Sequence, residues 1–450
     1  MNEQNKRLEL LGRAPIPKAL LTLGLPTMLG MLINALYNLA DTYFVGGLGT
    51  EQMGAVTVAF PLGQAVVGLG LLFGNGAAAY LPRLLGQGDH LRADSTASTA
   101  LYASIGLGAA VIVGMLIFLK PLLRQAGALE SVMPYAVTYA GIYLAFSIFN
   151  VFNVAMNNIV SSEGAAKTAM GALLFGALLN VVLDPLLIYG CGLGVAGAAI
   201  ATAIAQMVSA AFYGRYIWSK RSVFSFRISA CSAEREIWSE ILKVGVPTLI
   251  FQLLTSLSIS MINDAAKVYG SSALAGMGPV TKIMSMGSLI VFGFLKGFQP
   301  IAGFSYGAGN KVRLWEAIKT ALLWSTLFCA CYGLGAAALA GSIMALFTVQ
   351  DQEMIRIGAA ALRVNGLSFV LFGFYTVYSF LFLVLGRAKA GCFLGACRQG
   401  ICFVPLILWL PMSWGLGGVI CAQPLADVLS AMITAGMALS LHRQLWRAVE

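Results

Sequence analysis

A chain of 450 residues that is 59% hydrophobic and only 10% charged is not composed like a water-soluble protein, in which roughly 25% of residues are charged. Its formal net charge of +10 is spread over alternate loops rather than gathered on one basic face, which argues against nucleic acid and for anionic lipid headgroups as the partner. The eight cysteines make no CxxC pair and the only histidines are His90 and His442, so the thiols read as small buried hydrophobes and not as metal ligands.

In chain order, the segment up to Lys18 is polar and charged. The apolar run after it, 19–45, is too long for a signal-peptide core and is expected to remain as the first span. Further runs follow at 52–75, 95–119, 131–159, 168–190 and 195–217. After a charged stretch near 218–240 come 240–266, 272–300, 315–346, 355–386, 390–412 and 416–441. Each is long enough to cross a hydrocarbon core of roughly 30 Å. The predicted fold class is an all-α polytopic membrane protein with about twelve transmembrane helices. Arg7, Arg13, Arg83, Arg92, Lys167, Arg215, Arg221, Lys311, Arg313, Arg387, Lys389, Arg443 and Arg447 occupy every second loop and both ends, whereas the intervening loops hold little beyond Lys120, Arg124, Lys267 and Arg356. That asymmetry places both termini in the cytoplasm of a cell membrane.

The two parts of the chain repeat one another. "LGLPTMLG" (23–30) returns as "VGVPTLIF" (244–251), so that Pro26 matches Pro247. In the same register "LGTEQMGAV" (48–56) falls on "YGSSALAGM" (269–277), and "LLGQGDHLR" (84–92) on "SYGAGNKVR" (305–313). With a slip of about one residue, "EGAAKT" (163–168) meets "LGRAKA" (385–390), and then "GLGVAGAAIA" (192–201) meets "GLGGVICAQP" (415–424). Two pseudo-symmetric six-helix bundles are expected, one lobe over residues 1–228 and the other over 229–450. Repeats of this kind build secondary transporters, with substrate sites at the interface and alternating access by rocking.

Polar residues inside such spans are costly, about 2.5–3.5 kcal/mol for a charge at mid-bilayer on insertion scales, and usually face a bundle interior. Asp41 stands near the outer end of the first span. In the fourth, Asn150, Asn153 and Asn157 recur on one helical face, as interhelical hydrogen-bonders or as the lining of a wet cavity. The fifth holds Asn180 one turn before Asp184, and Pro185 after it frees the carbonyl of Val181. Those oxygens suit a proton or a hard cation such as Na⁺; a kinked helix tied to its neighbour explains them equally well. Asp264, Lys282, Lys296, Arg363, Arg398 and Asp427 follow in the second half, several near predicted helix ends, where snorkelling is the expectation. Methionines and aromatics such as Tyr37, Phe60, Tyr139 and Tyr143 supply material for an adaptable pocket. No phosphate loop, zinc spacing or nucleophile elbow occurs, so an enzyme is not expected, and neither is a cofactor or a structural metal.

Together, "LGLPTMLGMLINALYNLADTYFVGGLG" (23–49), "YLPRLLGQGD" (80–89), "NVVLDPLLIYGCGLGVAGAAIATAIAQ" (180–206), "GFQPIAGFSYGAGN" (297–310) and "GLGGVICAQPLADVLS" (415–430) resemble the multidrug and toxic compound extrusion (MATE) family along essentially the whole chain. The resemblance is to its prokaryotic DinF-like and MepA-like members. It implies two lobes around a cleft and export of small-molecule drugs or organic cations in exchange for H⁺ or Na⁺ by a monomer. It implies further that Asp41, Tyr139, Asn180, Asp184 and Thr202 form the cation-coupling network, that Asn34, Tyr37, Asn153 and Asn157 belong to the substrate cavity, and that the first span bends at Pro26. A Na⁺ ion would be held by Asp41, Asn180, Asp184 and Thr202. Another branch of the family carries acids in the second lobe; at the matching positions this chain has Thr255 and the run "LFGFY" (371–375), with no acid. Flippases of lipid-linked precursors share the architecture and are the alternative; they would call on Lys282, Lys296 and Arg398 for a pyrophosphate.

Overall fold

The structure, a computed structural model, describes residues 3–46, 48, 50–126, 128, 130–346 and 352–447. Side chains of certain residues within those ranges, Asn34, Tyr37 and Asp41 among them, lie outside the described set. Among the described residues there are helices and no strand, and twelve helices are long and apolar enough to cross a membrane. The hydropathy reading therefore holds, for a physical reason. With no water to satisfy it, backbone in a bilayer closes its hydrogen bonds within each segment.

Two compact units result, one of residues 1–249 with 296–310, the other of residues 250–295 with 311–450. The first unit opens with a short helix that hydropathy did not reveal, α1 (Glu3–Gly12), followed by α2 (Ile16–Gly46), α3 (Thr50–Gln87) and α4 (His90–Ile117). The short α5 (Leu119–Gln125), α6 (Met133–Ser162), α7 (Ala166–Pro185) and α8 (Gly194–Trp218) come next. Helix α9 (Arg235–Lys267) begins in this unit and passes into the second; α10 (Ser271–Gly307) runs back, so that its last turns belong to the first unit again. The second unit adds α11 (Lys311–Ala338), α12 (Ala340–Ala345), α13 (Gln352–Val384), α14 (Ala388–Ala396), α15 (Phe403–Trp414) and α16 (Leu416–Arg447).

The internal repeat is legible in the backbone. Gly88 and Gly309 end matching helices in the left-handed region (φ +78° and +67°), as do Gly164 and Gly386 (φ +83° and +76°), and Gly192 and Gly415 (φ +66° and +56°). Each pair falls in the register of the sequence repeat, slips included. A side chain with a Cβ rarely adopts that conformation, so the glycines fix where each helix stops.

In the first unit, Leu81, Leu84, Ala97, Ile159 and Ile241 form one buried cluster, and Val66, Ile112, Ala136, Leu144 and Ala198 another. In the second, Ala361, Leu362, Phe403 and Ala426 are central. Phe118, Trp218, Leu323, Trp409 and Met412, by contrast, point outwards and are more than half exposed. Apolar surface on that scale is untenable in water and is what lipid solvates.

Candidate functional site

Helices α7 and α8 pack side by side and carry the most deeply buried polar cluster of the first unit that was anticipated from sequence. Asn180 and Asp184 stand one turn apart on α7 and are 1% and 0% exposed, and Thr202 on α8 is 3% exposed. The Asn180 amide satisfies both its ends when its nitrogen donates to Asp184 Oδ2 (2.9 Å) and its oxygen accepts from the Thr202 backbone N–H (3.2 Å). In the opposite orientation Nδ2 would instead donate to Thr202 Oγ1 at 3.3 Å. The first arrangement gives the carboxylate a donor and the amide an acceptor role, and hydrogen-bond chemistry selects it.

Pro185 does not stop α7 as a sharp kink. The chain continues into a π-helical turn, Leu186–Gly190, closed by the Cys191 N–H on Leu186 O (2.8 Å). A wider turn is the usual accommodation where the ladder has lost a donor, and such turns recur at functional sites.

Tyr139, on α6, is buried and stacks on Tyr143, with ring centroids 6.1 Å apart. Tyr143 Oη accepts from Asn150 Nδ2 (3.2 Å). Of the five coupling residues, the described contacts join Asn180, Asp184 and Thr202. Asp41 falls within α2, but its side chain, like those of Asn34 and Tyr37, lies outside the described residues.

Two of the three asparagines in the α6 stripe make interhelical bonds, while Asn150 bonds within its own helix to Tyr143. Asn153 Nδ2 donates to the Gln206 carbonyl (2.8 Å). Asn157 Nδ2 donates to Tyr213 Oη (3.1 Å) and towards Ala169 O (3.4 Å), while Asn157 Oδ1 accepts from Lys296 Nζ of α10 (3.3 Å). Ala169 and Asn180 lie on the same helix roughly 16 Å apart at 1.5 Å per residue. The Asp184 cluster and the Asn157 cluster therefore occupy different levels of one unit.

Pro26 sits inside an uninterrupted α2. Its missing N–H leaves a gap in the ladder, and the Thr27 hydroxyl next to it bonds back to Leu23 O (3.0 Å) and Gly24 O (2.9 Å). This is the weakest point of the helix for bending. Gly297 of α10 abuts it: a Cβ there would stand 2.4 Å from the Gly24 nitrogen. Only a glycine permits that approach, which sets Lys296 among the first unit's helices.

Sequence reasoning missed a second buried acid. Glu163, in the short turn between α6 and α7, is 0% exposed. It accepts from the Tyr216 hydroxyl, from Ser222 Oγ (2.8 Å) and from the Val223 N–H (2.7 Å), with Arg7 Nη1 at 3.5 Å. Arg7 also donates to Tyr216 Oη and to the Arg221 carbonyl (2.8 Å). Burial pushes the Glu163 carboxyl up, and the Tyr216, Arg7, Ser222 and Val223 donors pull it part of the way back. The acid thereby knits α1, the end of α8 and the segment after it. Its signal in the sequence was an acid in a two-span turn directly before a left-handed glycine.

The second unit contains the buried ion pair Arg398–Asp427. These were candidates for snorkelling and do not snorkel: Arg398 Nε donates to Asp427 Oδ1 (2.7 Å), and both side chains are at most a tenth exposed. Gln423 Nε2 and Ser368 Oγ, each at 3.0 Å, complete the carboxylate's shell, and the guanidinium lies over Phe372, 4.8 Å from its centroid. Arg398 is presented by a second π-helical turn, Cys397–Ile401. In the same unit the Thr255 hydroxyl bonds its own helix at Phe251 O (2.8 Å), and Phe372 is occupied under Arg398. Among the described residues no three His, Cys, Asp or Glu side chains cluster as metal ligands would.

Comparison with known proteins agrees with this architecture. A family model described as MatE matches residues 26–186 and 247–409, one match in each half of the repeat. The multidrug export protein MepA of Staphylococcus aureus (strain MSSA476) is 28% identical over 431 residues, 95% of either chain. Two solved structures described as MATE, one in a straight and one in a bent conformation, superpose with TM-scores of 0.92 and 0.91 at 30% and 29% identity, covering 98% of this chain and 99% of each of those.

Proposed function

Since the chain belongs to the MatE family and is a multi-pass membrane transporter rather than an enzyme, we propose that it works as a secondary active multidrug efflux antiporter. In this reading it exports organic cations and other toxic small molecules from the cytoplasm in exchange for H⁺ or Na⁺, as a monomer in the plasma membrane with both termini inside. One lobe is residues 1–228 and the other residues 229–450. The similarity to a staphylococcal multidrug export protein supports the substrate class.

The observation that carries the coupling is the fully buried Asp184 with Asn180 as its donor and Thr202 behind it. A carboxylate in a low-dielectric site, with the acid of Asp41 assigned to the same network, is neutralised cheaply only by taking up a proton or a cation. A Na⁺ ion would find oxygen ligands in Asp184, Thr202, Asn180 and Asp41. Uptake from outside removes the charge that holds α2 in place, and α2 bends at Pro26, where its ladder is already interrupted. The bend narrows the cavity assigned to Asn34, Tyr37, Asn153 and Asn157, and substrate leaves outward. Relatives solved as straight and bent forms support a two-state element of this kind.

Efflux of a fluorescent organic cation from proteoliposomes, under separately imposed Na⁺ and pH gradients, tests the reading. Transport driven by one of the two gradients is expected. Flux that follows neither gradient rejects antiport.

A further inference from the structure

Lys296 puts a positive charge beside the asparagines assigned to the substrate. Its only hydrogen bond among the described residues is to Asn157 Oδ1, and no described carboxylate pairs with it. An ammonium has three N–H donors, so two are unspent among the described residues. Asn157 in turn is held rigidly, since its own N–H groups are taken by Tyr213 and Ala169, and its oxygen can only face the lysine. One turn back on the same face, Asn153 Oδ1 is buried and accepts no hydrogen bond among the described residues.

A clamp between α10 and α6 would explain the Asn157 contact, but it does not need a charge; a glutamine amide could make the same bond. In the register of the internal repeat the first half has the neutral Asn75 at the position matching Lys296. The charge thus belongs to one half alone, and ionisable residues inside membranes are retained where they serve a pathway. Two spare N–H donors on a cation, with an unspent carbonyl acceptor one helical turn away, complement a molecule with an anionic oxygen group and an N–H or O–H of its own. A permanent monocation has nothing to offer the lysine and meets like charge.

We propose that Lys296 determines substrate class, favouring amphipathic zwitterions over permanent monocations by receiving the anionic group on its ammonium. This rests on the efflux reading above and narrows its substrates: the positive charge of an exported compound is accompanied by a negative one.

The test uses one xanthene dye in two forms, the zwitterionic free acid and its cationic methyl ester, loaded singly into proteoliposomes. Initial rates are compared for the wild type, Lys296→Gln and Lys296→Arg under the driving gradient. The wild type should move the acid about tenfold faster than the ester, a modest selective free energy. Lys296→Gln should lose that preference by slowing the acid alone, and Lys296→Arg should restore most of it. Equal slowing of both dyes in Lys296→Gln would mean a clamp and overturn the proposal, as would a wild type that prefers the ester. Should Lys296→Gln fail to fold, fluorescence polarisation of the two dyes on purified wild type decides, tighter binding of the ester overturning it. If the folded wild type moves neither dye, the efflux reading fails and takes this one with it; if it moves the ester without preferring the acid, only this one fails.

Discussion

Arg398 Nε and Asp427 Oδ1 meet at 2.7 Å in the interior of the second unit, and the pair is self-neutralising. Asp184 in the first unit accepts from the Asn180 amide, whose oxygen in turn accepts from the Thr202 backbone N–H. The two halves repeat in sequence yet differ in their buried acids: that of the second unit is paired with a guanidinium, and Asp184 of the first is the one proposed to take up the exchangeable ion.

The Arg398–Asp427 pair should therefore behave structurally. Asp427→Ala strands a buried guanidinium and should cost about 3–5 kcal/mol, read as a lowered melting temperature in detergent. Replacing both members with Met and Leu should recover most of that loss and keep gradient-driven efflux. A double variant that folds well but transports nothing would assign the pair to the transport cycle instead.

Glu163 should give a pH signature. Its folded-state carboxyl holds the proton more tightly than in the unfolded chain, because burial outweighs the donors around it. The stability it contributes is then fully present in acid, below the ordinary carboxylate range, and is lost as pH rises through the raised value. Melting temperatures between about pH 4 and about pH 9 should fall less steeply in Glu163→Gln than in the wild type. Glu163→Ala should be worse at every pH, by about 1–3 kcal/mol, because it leaves the Val223 N–H and the Ser222 hydroxyl without their acceptor. Superimposable pH profiles for wild type and Glu163→Gln would refute this.

How much of this could be read from sequence follows the range of each interaction. Span number and placement depend on local hydropathy, and the repeat depends on comparing the chain with itself, so both were legible. Asn180 and Asp184 were paired because four residues make one helical turn. Thr202 is brought to them only by the packing of α7 on α8, and it entered through family resemblance, not spacing. Arg398 and Asp427 were visible as costly residues but not as partners, since nothing local says that the Cys397–Ile401 turn faces α16. Glu163 was not singled out at all. Its importance comes from Arg7 and Ser222, which approach it from opposite ends of the first half.

Gly297 tests how tightly α10 is seated. A methyl group there would have to displace the Gly24 backbone, which has no side chain to yield. Gly297→Ala should destabilise the protein by about 1–3 kcal/mol and should also loosen the Lys296–Asn157 contact beside it. Thermal unfolding reads the first effect. Loss of dye discrimination without loss of total flux would read the second. Unchanged stability would mean that α10 can shift aside at no cost.

Asp184→Asn separates packing from coupling. The amide is nearly the size of the carboxylate, so the buried site stays filled, and removing an ionisable group from a fully buried position does not weaken the fold. Asn180 can still place an N–H against the remaining side-chain oxygen at 184. What disappears is the group proposed to take up and release the cation. The variant should insert, melt within a few degrees of the wild type (about 1 kcal/mol or less), and lose gradient-driven efflux by at least about tenfold. Thr202→Val, which removes one oxygen but no charge, should sort the ions: a Na⁺-driven exporter loses apparent Na⁺ affinity, whereas a proton-driven one is barely affected. Efflux from the Asp184→Asn variant at the wild-type rate, under the same gradient, would remove Asp184 from the coupling mechanism.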